Sequence, residues 1–171
     1  MKKLITSIFL LSVISAIGIS QKYAFVDTEY ILNNIPAYKA AQDQLDQTSA
    51  EWEKEIKDMY AEVEKLYKAY QNDAILLTQE MKKKREDEIV SKEKEAKNIQ
   101  NKYFGREGEL FTKRQELIKP IQDEIYNAVK EMAVEGNFAV IFDTSGSLSM
   151  LYTNPRYDMS DDILEKLGYK N

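Results

Sequence analysis

The residues that could do chemistry in this chain are few, and most have a plainer use. Asp158, Ser160 and Asp162 alternate side-chain oxygens as a calcium loop does. The sixth position of that loop is Ile163 where a Gly is needed, and the twelfth is Tyr169 where a Glu should close the site. Helix capping explains the three better. Asp27 and Asp143 each follow an apolar run, and a facing pair of carboxylates could work as acid and base. They read better as cap and turn residues. The chain has no His and no Cys. That removes the commonest general base, the commonest zinc ligand, a thiol nucleophile, disulfides and a lipid-anchored cysteine. No Gly-Lys loop is present to cradle a phosphate. The expectation is no enzyme and no cofactor.

Two short patterns point to contacts. Lys82-Lys83-Lys84-Arg85 is the one concentrated basic run, followed directly by Glu86-Asp87-Glu88. It reads first as a solvated face, with a local attraction for acidic protein chains or lipid headgroups as the alternative. Gly105 and Gly108 stand in an otherwise helical stretch, either tolerated there or acting as a flexible joint. A nucleic-acid loop of the Gly-x-x-Gly kind is disfavoured, because acidic residues outnumber basic ones 29 to 24 for a net charge of −5. The same balance does not support contact with a membrane.

The elements that position these residues follow from periodicity. Residues 36–135 hold 22 acidic and 18 basic side chains, with apolar residues spaced regularly between them. From Tyr38 the stripe runs Ala41, Leu45, Thr48, Trp52, Ile56, Met59, Val63, Leu66, Tyr70. Steps of three and four make a coiled-coil seam, with a stutter between Trp52 and Ile56. Pro36 suits the first turn of that helix. The pattern breaks at Gln71-Asn72-Asp73, and Thr78 with Glu80 reads as a new start. A hairpin tip is predicted near residues 72–78.

The returning helix carries two offset series: Ile89, Ala96, Tyr103, Leu110, Leu117, and Phe104, Phe111, Ile118, Ile125, Met132. It overshoots the first helix by roughly twenty residues, so it should pack on a base from about residue 115. Pro120 should kink it there.

Short elements at both ends predict a small head, residues 21–35 and 136–171. Tyr23-Ala24-Phe25-Val26 is one strand, followed by a brief helix with Tyr30, Ile31 and Leu32. Phe138-Ala139-Val140-Ile141-Phe142 is the strongest strand and is apolar on both faces. Residues 148–152, with Leu151, predict a third strand, and Ser160 a cap for a last helix ending before Gly168. The predicted class is therefore mainly α, a long antiparallel hairpin arm on a three-strand β head. A doubly apolar strand on so small a head calls for a partner. Self-association is expected through Phe25, Phe138, Val140, Phe142 and Leu151.

Residues 1–20 read as a secretory signal peptide. Lys2 and Lys3 precede an apolar run to Ile17, and Gly18-Ile19-Ser20 offers cleavage after about Ser20. The run of about 14 residues is short for a span of about 30 Å. An exported chain with net charge −7 is expected.

This order of elements resembles the Skp/OmpH family of periplasmic chaperones. Tyr23-Ala24-Phe25-Val26-Asp27 with Tyr30-Ile31-Leu32, Pro120-Ile121-Gln122-Asp123-Glu124-Ile125, Phe138 to Asp143, and Asp158 to Ile163 through Leu167-Gly168 carry the likeness. The resemblance implies a homotrimer whose strands complete a common barrel and whose arms enclose a cavity. It also implies a periplasmic, ATP-independent role in holding unfolded outer-membrane proteins. The well-known members are basic and this chain is not, and no lipopolysaccharide site carries over. A coiled-coil envelope adaptor or spacer with one defined partner is the other reading of the residues.

Overall fold

The computed structural model describes residues 21–146 and 150–169. The expected signal peptide lies outside the described residues. Two units emerge, one taking residues up to Ile31 and from Ile125 onward, the other Leu32–Glu124.

The second unit is built on two long antiparallel-ordered helices. After β1 (Lys22–Val26) and α1 (Thr28–Asn33), helix α2 runs from Pro36 to Asp73, 38 residues or about 57 Å of rise. Pro36 opens it with no side-chain cap, since its ring already sets the helical φ. Each of the ten predicted stripe positions is buried or half-buried, and Ala41, Leu45, Ile56 and Val63 are the buried core of this face. Helix α3 (Gln79–Phe104) returns along α2, burying Ile89 and Ala96. Between them residues 74–78 form the tip. The Leu76 amide donates to the Asp73 carbonyl at 2.8 Å. Thr78 caps α3 by accepting from the Met81 amide at 3.3 Å.

The returning segment is two helices, not one. α3 stops at Phe104 and α4 spans Glu109–Glu135. Pro120 lies inside α4, which continues through it. Phe111, expected on the second apolar series, is half exposed, whereas Ile118 and Ile125 are buried. The series fails next to the break because α4 restarts the helical phase there.

In the first unit β1 pairs in parallel with β2 (Phe138–Asp143), in a register of Tyr23 with Val140, Phe25 with Phe142 and Val26 with Asp143. α4 ends just before Gly136, and Asn137 takes the left-handed conformation that turns the chain into β2. The other side of β1 meets a short 3-10 turn (Pro155–Tyr157), and the Met159 amide donates to the Phe25 carbonyl at 2.9 Å. β1 is thus the covered strand, with Ala24 and Val26 buried.

Two expectations fail here. The sheet has two strands among the described residues. Of the predicted third strand, 148 and 149 lie outside the described residues and 150–152 are not in a strand. Pro155 and the turn that follows claim the place beside β1 instead. Ser160 is not the cap of α5 (Ser160–Lys166) but its first residue, 4% exposed. Its amide donates to the Asp158 carboxylate at 2.9 Å, and its hydroxyl accepts from the Asp27 amide at 2.8 Å. Burial of this hydroxyl requires those partners, so it serves the strand end rather than the helix end.

Candidate functional site

The two aspartates that could have formed an acid–base pair are both consumed as acceptors. Asp27 caps α1, accepting from the Tyr30 amide at 2.9 Å. Asp143, at the end of β2, accepts from the Thr28 amide at 3.2 Å and the Thr28 hydroxyl at 2.7 Å. It also accepts from the Ser145 amide at 3.0 Å and hydroxyl at 2.8 Å. Desolvation acts to raise the Asp143 pKa, but the bonds from Thr28 and Ser145 outweigh it and hold the carboxyl below its ordinary value. A carboxylate held so is a clasp between strand ends. What this geometry can do is bind surfaces, and three regions offer one.

The first is β2. Val140 is 47% exposed and Phe142 36% exposed, although both belong to the most apolar strand in the chain. Phe25 stacks on Phe142 with centroids 5.7 Å apart, and Phe138 begins the strand half-buried. Beyond β1, no strand pairs with β2 among the described residues. Leu151 is fully exposed at 102% and belongs to no strand, so the structure leaves it apart from the other four head residues in secondary structure.

The second is the break between α3 and α4. Gly105 closes α3, its amide donating to the Asn101 carbonyl at 2.8 Å, and the Gly108 amide donates to the Gly105 carbonyl at 2.9 Å. A Cβ on Gly105 would lie 2.3 Å from the Asn101 oxygen, and one on Gly108 would lie 2.6 Å from the Tyr103 oxygen. Only glycine fits this geometry. Beside it Trp52 of α2 stacks on Tyr103 of α3 and meets the edge of Phe104 at 6.3 Å. The Tyr103 hydroxyl donates to Glu55 at 3.0 Å, a bond that raises its pKa. Lys102 and Glu109 join across the break at 3.2 Å. An open groove of ≈ 390 Å³ lies alongside, lined by Glu53, Ile56, Lys57, Tyr60, Gln100 and Phe104. Trp52 and Tyr103 both lie on the predicted seams, but their stacking follows from register, which neither series specifies alone.

The third is the tip. Ile75 and Leu76 are 95% and 85% exposed, and Lys82 to Arg85 occupy the first turns of α3. Arg85 reaches Glu88 at 3.9 Å, while Lys82, Lys83 and Lys84 make no ion pair among the described residues. No described helix is long and apolar enough to cross a membrane.

Comparison with known proteins places this architecture. Residues 22–167 match the model of a family described as outer membrane protein (OmpH-like). A chain of Aquifex aeolicus (strain VF5), described as an uncharacterized protein, is 27% identical over 158 residues, covering 92% of this chain and 93% of that one. A solved structure from Caulobacter crescentus CB15, assigned by name as an outer membrane chaperone (OmpH-like), superposes with a TM-score of 0.67. It is 13% identical and covers 88% of this chain and 85% of its own. With the hairpin, the strand pair and the closing helix all inside the matched span, the chain belongs to the OmpH-like family of outer membrane proteins.

Proposed function

We propose that the chain is an ATP-independent periplasmic holdase that binds unfolded outer-membrane proteins and keeps them from aggregating. The observation that carries this reading is the family match running through hairpin and strand pair alike, residues 22–167. The name of the Caulobacter crescentus relative, an outer membrane chaperone, supports it. The working particle is a homotrimer in which β2 edges meet at Phe138, Val140 and Phe142 and the hairpins surround a cavity. The open apolar strand supports that assembly, because an uncovered edge of this kind is a template for another chain. Holding then rests on many weak contacts and not on one pocket, which tolerates varied clients. Gly105 and Gly108 are the joint that lets an arm adjust to client size, and Pro120 bends the arm nearer its base.

The test is aggregation of a urea-denatured outer-membrane β-barrel on dilution, with and without the mature chain and without nucleotide. Suppression at about one client per three subunits supports the reading. Failure to keep any unfolded β-barrel soluble, with a single folded envelope protein co-purifying, would replace it with the adaptor reading.

A further inference from the structure

The covered strand of the head has almost no chain in front of it once a signal peptide is removed. Cleavage after Ser20 makes Gln21 the first residue, and β1 starts at the next one, Lys22. We propose that Gln21 is a modification site, closed to a pyroglutamate lactam after that cleavage. The inference rests on the reading of the chain as an exported periplasmic protein.

The reaction draws only on the residue itself. An α-amino group titrates at about 7.7–8.0, so near neutral pH part of it is the nucleophilic free base. The Gln21 α-nitrogen attacks its own side-chain carbonyl carbon, Cδ, and the new C–N bond closes a five-membered ring. The Cδ–Nε2 bond breaks, one proton passes from the α-nitrogen to Nε2, and ammonia leaves. No oxidant, metal or co-substrate enters the balance. Before cleavage the same nitrogen is a peptide amide and no nucleophile, so cleavage is the trigger.

The fold tolerates the ring. Gln21 is exposed and lies outside the strand. The parallel register opens with Lys22 opposite Phe138, so the ring nitrogen takes no part in the pairing.

The fold also gives the ring a use. Exposed chain ends are where proteolysis concentrates, and here the end has no expendable tail. The Lys22 ammonium donates to the Gly136 carbonyl at 3.3 Å, just past the last residue of α4. Two residues further in, Ala24 is fully buried. Trimming past Gln21 therefore removes a bond to the arm and the first rung of the strand pair. An aminopeptidase needs a free α-amine, and a lactam offers none.

The test is to purify the chain from the envelope of its own source cells and reductively dimethylate its amines before digestion. A protease that cuts before Asp27 then releases residues 21–26. The open form of that peptide carries two labelled amines, at Gln21 and Lys22, and the closed form one. The expected result is one label and a mass lower than the open form by one ammonia. Gln21→Ala should carry two labels, keep the helical signal and hold an unfolded β-barrel as the wild type does. It should lose its first residue to an added aminopeptidase under conditions in which the wild type loses none. The inference falls if the wild-type peptide carries two labels or if the chain begins at another residue. Equal trimming of both proteins, or of neither, would remove the protective role. A free Gln21 amine on a chain that still suppresses β-barrel aggregation overturns the inference alone, and a chain that retains residues 1–20 overturns export with it.

Discussion

The indole of Trp52 lies flat on the ring of Tyr103, centroids 4.4 Å apart and 6° from parallel. It joins α2 to α3 one residue before α3 ends, so the last firm contact of the paired helices sits against the break. Trp52→Ala should cost about 2 kcal/mol, the apolar area of a half-buried ring plus its stacking. The same change made in a Tyr103→Ala background should cost clearly less. Urea unfolding of the four proteins of this cycle measures the coupling, and additive losses would show that the stack contributes nothing of its own.

The glycines beyond that stack hold a geometry that a methyl group cannot enter. Gly105→Ala with Gly108→Ala should drive residues 105–108 out of the break and into continuous helix. Amide exchange at these residues should slow about tenfold, while the flanking turns change little. Unchanged exchange would mean the break persists by shifting its backbone, and the glycines would not control it.

Val140→Asp separates folding from assembly. The side chain is half exposed in one chain, so a carboxylate there keeps water and the strand pair survives. On association the same charge would be buried without a partner, at a cost of several kcal/mol. Light scattering should give three times the subunit mass for the wild type and the single mass for the variant, with circular dichroism alike. A wild type that is monomeric at micromolar concentration would remove the trimer.

Asp143 makes the head sensitive to acid. Its carboxyl sits below the ordinary value of 3.8 because four donated bonds favour the charged form. A folded pKa below the unfolded one contributes stability that is complete above 3.8 and lost as the pH falls through the folded value. Asp143→Ala should cost about 1–2 kcal/mol at neutral pH, the scale of a lost cap. The gap in stability between wild type and Asp143→Asn should narrow as pH falls below 3.8. A gap that does not move with pH would assign the effect to shape rather than charge.

What could be read from the residues depended on the range of the interactions. The seam of α2 was legible from Tyr38 to Tyr70 because a helix repeats its own geometry every turn, and its stutter at Trp52 lies where the partner helix breaks. The tip at 74–78 was legible from Asn72, Asp73 and Thr78, which act on their immediate neighbours. The role of Ser160 was not, because its hydroxyl answers the Asp27 amide, 133 residues away in the chain. The third strand was misread for a related reason. Leu151 and Tyr152 have strand-like composition, but the place beside Phe25 is taken by the backbone near Asp158. The exposure of Ile75 and Leu76 was hidden too, since a short apolar cluster looks alike whether it is covered or bare.

The parallel pairing of residues 22–26 with 138–143 sets an order of events. A chain is made from its amino end, so β1 arrives long before its partner exists. The hairpin between them consists of near-diagonal contacts and can close as soon as it emerges, while the strand pair waits on a loop of more than a hundred residues. The first strand is therefore a latch with no catch until the last fifth of the polypeptide has appeared. A chain cut short before Phe138 would carry a finished arm and a first strand with nothing to pair with. The closed strand pair becomes a certificate that both ends of the fold are present, issued by topology alone.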